Sequence, residues 1–272
     1  MKIHHLNTGS VFTPARKRLV NHCVLFDFGE KLLVVDPGVH YDFHTRSEFA
    51  PLGVQRWLMP SNHKETRLTE HLKRLGHSRE KVTDIVLTHL DYDRASALID
   101  FPNARVHIFG PEYIAGMAPA GWIESQRYRY LRHIPRVPWV IHPLQGEKWF
   151  GFDALRPTPE LTSDLYLVPL VGHTWGHCGV AFHDKGKWFL HAGDAYFHRQ
   201  EMNVLHPKCP WLLSLYQRWL HVDEDSSLYN QDRLRKLIRD QAPEVSVFCS
   251  SDPEELRLQS DLKPDAGALA TL

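Results

Sequence analysis

The apolar run Ile85-Val86-Leu87 leads directly into Thr88-His89-Leu90-Asp91-Tyr92-Asp93-Arg94, so three side chains with nitrogen or oxygen donors stand at alternate positions beyond it. A short apolar run of this kind suits the end of a buried strand, and a strand end holds the residues that follow it in fixed places. His89, Asp91 and Asp93 therefore read as a metal-binding loop. What the loop can do depends on the donors that the rest of the chain brings to it.

The surrounding pattern alternates strands and helices. Leu19 to Phe28 is β-rich, Lys31 to Val35 is a short apolar run, and Asp36-Pro37-Gly38 closes it as a turn, together suggesting a β-meander. Leu68, Leu72 and Leu75 have helical spacing, which predicts a helix over 66–75 that Gly76 ends. Thr83 to Leu87 is the strand before the loop, 95–99 a short helix, Arg105 to Phe109 a strand, and Pro111 to Met117 a helix with proline at its start. Strands are expected again at 164–170, 179–183, 188–191 and 245–249, with an amphipathic helix at 228–240 using Leu234, Leu237 and Ile238. Two β-rich halves, each followed by helix, would fit a duplicated sandwich. Between 118 and 155 prolines and the aromatics Trp122, Tyr128, Tyr130, Trp139 and Trp149 are interleaved with arginines, which predicts an irregular surface excursion packed by its own aromatics, or else a lid over substrate.

Composition narrows the class. The 272 residues, 43% hydrophobic and 24% charged, suffice for one large globular domain over 1–272, with only the tail of disordered character. A formal net charge of +0 offers no field for nucleic acid or an anionic membrane, and no run has the roughly 18 apolar residues of a membrane span. Cys23, Cys178, Cys209 and Cys249 are scattered without a CxxC pair, which argues for reduced thiols and a cytoplasmic protein. Of the 19 histidines, isolated ones such as His71 and His77 are expected at the surface.

Two further turns carry chemistry. Gly172-His173-Thr174-Trp175-Gly176-His177 and Leu190-His191-Ala192-Gly193-Asp194-Ala195 each place a donor just past a strand and beside glycine, where backbone can turn sharply. With Val35-Asp36-Pro37-Gly38 and the loop at 88–94, these stretches resemble, in order and approximate separation, the metallo-β-lactamase fold superfamily of metal-dependent hydrolases, and they span most of the chain. The resemblance implies an α+β fold, a four-layer αββα sandwich with metal on the rim of its two sheets.

It also implies a ligand set with substitutions. The family's His-x-His-x-Asp-His loop is here His89, Asp91, Asp93 and Arg94, so the first metal site becomes His89, Asp91 and His173. A carboxylate is a competent ligand for zinc or iron, so that site can survive the change. The bridging aspartate corresponds to Asp194. Of the second metal's ligands Asp93 and Asp194 remain, while Arg94 and Ser251 stand where histidines are usual. Arginine keeps its proton and has no lone pair to give a metal. Arg94 is expected either to replace the second ion, neutralising Asp93 or Asp194, or to turn out to solvent.

The implied activity is hydrolysis by a metal-bound water with one divalent ion, zinc foremost and iron or manganese also suited, and with Asp93 and Arg94 as catalytic groups. Asp93 would orient or deprotonate the water, and Arg94 would stabilise an oxyanion. His177 is read as support for the loop, and Tyr196 as packing. The aromatics favour a small-molecule substrate, a lactone, ester or thioester. A fold whose site has decayed into a ligand- or protein-binding module is the rival from another class, and a phosphodiesterase or nuclease a third.

Overall fold

The computed structural model describes residues 1–13, 17–40, 59–61, 64–134 and 136–260, so the tail lies outside the described residues. A seven-stranded sheet runs in the order β4-β1-β2-β3-β5-β6-β7. Its strands are β1 (Lys2–Phe12), β2 (Arg18–Asp27), β3 (Leu32–Val35), β4 (Met59–Ser61), β5 (Val82–Val86), β6 (Arg105–Phe109) and β7 (Trp139–His142). The meander β1-β2-β3 is antiparallel, and β3, β5, β6 and β7 are parallel. The hairpin β8 (Glu147–Trp149) and β9 (Phe152–Ala154) leads to a four-stranded sheet of β10 (Leu165–Pro169), β11 (Cys178–Asp184), β12 (Lys187–His191) and β13 (Val245–Phe248).

Strand periodicity explains why two sheets stack. Side chains point alternately to opposite faces, so Cys23 and Leu25 of β2 enter one cluster with Leu32, Ile85 and Leu68, whereas Val24 and Phe26 enter another with Leu33, Val86, Leu167, Val180, Phe182 and Phe248. The second cluster joins the two sheets. On the far face of the smaller sheet, Tyr166, Val168, Ala181 and Leu190 pack with Leu234 and Leu237. Helix, sheet, sheet and helix therefore form four layers, in agreement with the sandwich expected from the resemblance.

The outer layers come from helices whose apolar stripes match those clusters. Helix α1 (Leu68–Arg74) buries Leu68 and Leu72, and Gly76 follows at φ +79°, the left-handed conformation that ends such a helix without a Cβ penalty. A four-residue turn, α2 (Tyr92–Ala95), continues into a 3-10 segment over Ser96–Asp100 where the sequence suggested a single short helix. Helix α3 (Gly110–Met117) has its proline in the first turn, as expected. Helix α6 (Glu224–Gln241) begins four residues before the periodic run, because Asp223 caps it by accepting from Ser226 N at 3.1 Å. The sequence reading did not include β1, α5 (Trp211–Leu220) or α7 (Pro253–Gln259).

Two expectations are corrected. The segment at 118–155 is ordered into α4 (Trp122–Arg127), a 3-10 turn over Arg129–His133, β7 and the β8–β9 hairpin. Its aromatics do not pack only on one another: Tyr128 and Tyr130 are buried in the main core and Trp149 in the second. The Tyr130 hydroxyl donates to Leu90 O at 2.9 Å, anchoring the segment to the His-Asp loop. His71 and His77 are half-buried rather than at the surface, held by Asn7 O at 2.9 Å and Asp27 Oδ2 at 3.1 Å.

Candidate metal centre

The donor-bearing turns meet at one rim because their strands are stitched together there. Cys178 N donates to Thr88 O at 2.9 Å and Ser250 N to Gly193 O at 2.9 Å, which brings the ends of β5, β11, β12 and β13 side by side. Both turns require glycine. At Gly172 a Cβ would lie 2.4 Å from Ser227 N, and at Gly193, with φ +56°, 2.5 Å from His177 Nε2.

His89 is fully buried and its tautomer follows from its neighbours. Thr88 N donates to Asp36 Oδ1 at 2.9 Å and the Thr88 hydroxyl to Asp36 Oδ2 at 2.7 Å, so the hydroxyl oxygen accepts from His89 Nδ1 at 2.8 Å. That leaves His89 Nε2 as the ring nitrogen free for the rim, buried and without a hydrogen-bond partner, on an imidazole whose pKa burial lowers but Asp91 and Asp194 raise above its ordinary value. Nε2 faces Asp91 Oδ2 at 3.5 Å and Asp194 Oδ2 at 3.6 Å. His173 Nε2 faces Asp91 Oδ2 at 3.0 Å and Asp194 Oδ2 at 3.7 Å. Donor atoms of His89, His173 and Asp194 all lie within 4.8 Å of one another. Two imidazoles and a carboxylate around an orphaned buried ring nitrogen fit a divalent cation such as zinc or iron.

Asp194 divides its two oxygens. Oδ2 is the one near the histidines, whereas Oδ1 accepts from Arg94 Nη2 at 2.7 Å, Ser250 Oγ at 3.0 Å and Ser251 Oγ at 3.0 Å. Burial works to raise the Asp194 carboxyl, but the Arg94 guanidinium and the two histidines hold it far below the usual carboxylate range. Arg94 is 2% exposed, which disposes of the solvent-facing alternative. Its Nη1 donates to Asn21 Oδ1 and lies 3.4 Å from Asp93 Oδ2, and Nη2 also donates to Ser251 Oγ at 2.9 Å. Burial, with Asp194 and Asp91 nearby, raises the Asp93 carboxyl despite Arg94.

Asp91 lies beside both histidines but is shared. Arg127 of α4 grips it with two parallel hydrogen bonds, Nε to Oδ1 and Nη2 to Oδ2, the latter at 2.6 Å, and holds it well below the usual range against the effect of burial. The sequence reading missed Arg127, although the interleaving of arginines with aromatics in that segment was the available signal. It missed Asn21 as well; two polar residues, Asn21 and His22, inside the apolar run of β2 were the sign.

His177 and Tyr196 fit the supporting parts expected of them. His177 Nδ1 donates to Leu170 O at 2.7 Å and Nε2 accepts from Asp194 N at 2.8 Å, fixing the backbone that carries Asp194. The Tyr196 hydroxyl is fully buried against Glu255 Oε1 at 3.0 Å. Burial pulls His173 down to about 4, so it is neutral at physiological pH.

Comparison with known proteins gives a consistent answer. A sequence model described as the metallo-beta-lactamase superfamily matches residues 16–249. A probable metallo-hydrolase of Mycobacterium tuberculosis is 29% identical over 264 residues, 96% of this chain and 83% of the relative. Among solved structures, a B. thuringiensis AiiA variant with N-decanoyl-L-homoserine bound at its active site superposes with a TM-score of 0.68 at 18% identity, over 94% of this chain and 95% of the other. AidC, a dizinc quorum-quenching lactonase in complex with a product, gives 0.60 at 17% identity, over 87% of this chain and 74% of that one.

Proposed function

The chain belongs to the metallo-β-lactamase superfamily and is a hydrolase of that superfamily, and within it we propose a one-metal enzyme that opens a lactone, ester or thioester. The observation that carries this reading is the division of Asp194: Oδ2 is left to the histidines, and Oδ1 is taken by Arg94, Ser250 and Ser251. Three protein donors already fill Oδ1, and one of them is a guanidinium whose fixed positive charge would repel a second cation on that side of Asp194. His89, His173 and Asp194 would hold one divalent cation, zinc foremost, with Asp91 beside them. Such a cation supplies Lewis acidity, acidifying a water and polarising a carbonyl oxygen.

The chain's own groups divide the remaining work. Asp93, with its carboxyl raised by burial, is suited to take a proton from the attacking water and pass it on. Arg94 has its Nη hydrogens committed to protein acceptors, so it acts by fixing Asp194 and Asp93, and its charge reaches a developing oxyanion only through space. Apolar side chains on two neighbouring elements, Trp175 beyond His173 and Trp122 and Ile123 on α4, are exposed and would contact an acyl group. The Trp175 indole donates to Glu124 Oε1 at 2.6 Å, tying those elements together. Free cysteines, three of them buried, suit a reducing cytoplasm, and among the described residues no helix is long and apolar enough to cross a membrane.

Metal analysis of protein purified without chelator is the test. One equivalent per chain is expected, together with turnover of lactones or aryl esters, but not phosphodiesters, that His89→Ala abolishes. Two equivalents would overturn the one-metal reading.

A further inference from the structure

Arg127 does more than touch the site. Its guanidinium spans both oxygens of Asp91, its Nη1 donates to Leu220 O at 2.9 Å at the end of α5, and its Nη2 lies 3.2 Å from His173 Nε2. The two side chains are 16% and 13% exposed, so their charges meet in a largely dry setting. The fork is held from behind, because the next residues, Tyr128 and Tyr130, are buried in the core.

Charge accounts for the pairing. Asp91 stands where the superfamily loop that this chain resembles has a neutral histidine, which adds one negative charge beside His89 and His173. Arg127 adds one positive charge at the same place. We propose that Arg127 is a positioning residue that makes Asp91 act as a neutral donor, so that the centre keeps the net charge of a histidine-based site. This rests on the reading of the rim as a metal centre and goes beyond it, since it assigns Arg127 control over how tightly a cation is held.

Opposite signs for the two single variants follow. Arg127→Ala removes a guanidinium beside a dication and frees a full carboxylate, so on charge alone zinc binding tightens by roughly tenfold or more. Asp91→His leaves Arg127 unpaired beside the cation, and binding weakens by about as much. In the double variant the charges balance again, and affinity returns to within about threefold of the parent. Arg127→Lys keeps the charge but loses the two-pronged grip, so affinity stays near the parent while Asp91 is freed to reorient.

Titration of the full-length metal-free protein with Zn²⁺ against a chromophoric chelator measures each affinity, and the visible absorption of the Co²⁺-loaded forms reports ligand geometry. The expected order is Arg127→Ala tightest, Asp91→His weakest, parent and double variant together, with an altered Co²⁺ spectrum in Arg127→Lys. Weaker zinc binding in Arg127→Ala, or a double variant no better than Asp91→His, would overturn the assignment and leave Arg127 a purely structural tie to α5. The same titration gives the stoichiometry: two ions with this order intact would defeat the one-metal reading alone, and no zinc binding in any form would defeat both.

Discussion

Arg94 Nη2 donates to Asp194 Oδ1 at 2.7 Å, with both side chains almost wholly enclosed. Side chains 100 positions apart in sequence are thereby joined at the rim of the two sheets. Ser251, in the place of a usual histidine, completes the contact by donating to the same Oδ1 and accepting from the same Nη2. The two departures at the second-metal position, Arg94 and Ser251, thus serve one interaction, a guanidinium seated on half of an aspartate.

Restoring the two histidines tests that substitution. Arg94→His together with Ser251→His removes the guanidinium and returns two imidazoles next to Asp93 and Asp194, so bound zinc is expected to rise from one to two equivalents per chain. Inductively coupled plasma analysis checks it. Unchanged stoichiometry would mean that Asn21, which accepts from Arg94 Nη1 and donates to Asp93 O at 2.8 Å, holds the loop in a shape a second ion cannot use.

Arg94→Met should cost stability. It leaves Asp194 and Asp93 enclosed without their counter-charge, and breaking a buried pair from one side costs about 3–5 kcal/mol. Urea unfolding of metal-free protein at neutral pH measures it, and a loss under about 1 kcal/mol would show that water compensates Asp194.

Thr88→Val cuts the chain from Asp36 through Thr88 to His89 while keeping volume nearly constant. Without the hydroxyl nothing selects the tautomer that presents the His89 Nε2 lone pair, so zinc affinity should fall by about 10–100-fold. Competition against a chelator reads the change, and parental affinity would remove Thr88 from the working parts of the centre.

Gly193→Ala places a Cβ 2.5 Å from His177 Nε2 at a residue with φ +56°. The left-handed conformation alone costs about 1–2 kcal/mol, and displacement of His177 frees Asp194 N. Thermal unfolding should show a lower Tm, and zinc affinity should drop in parallel. A lower Tm with unchanged affinity would separate the turn from the metal centre.

Acid–base behaviour away from the rim gives a further check. Burial pushes the Glu255 carboxyl from its ordinary 4.5 up to about 7, so through that interval the folded chain keeps a proton that the unfolded chain has lost. The stabilisation is fully present below 4.5, falls as pH rises towards 7 and is flat above, a loss of about 3 kcal/mol. Glu255→Gln should remove this part of the slope while still accepting from Tyr196 and from Cys249 N at 2.7 Å. Urea midpoints at pH 5 and pH 8 suffice; an unchanged slope would place the titration elsewhere.

The sandwich was legible because its strands are short, strongly apolar and bounded by turn residues, and because the donors follow strand ends. Arg105–Phe109 shows this well, since its predicted and observed limits coincide. The arginine at position 94 was legible as a departure from a pattern, and its position in space decided between solvent and Asp194. Arg127 was not legible as a partner of Asp91: its pairing spans 36 residues and depends on Tyr128 and Tyr130 entering the core, which local periodicity does not encode. Strand β1 was hidden by the polar residues of its first half, half-buried in the structure and paired along β2.

The guanidinium on Asp194 is covalently part of the polypeptide. An ion must be supplied by its surroundings and can be stripped away, whereas Arg94 arrives with translation and stays charged at every physiological pH. Chelation or metal starvation would therefore leave the Asp194 Oδ1 contacts, with the backbone they brace, in place.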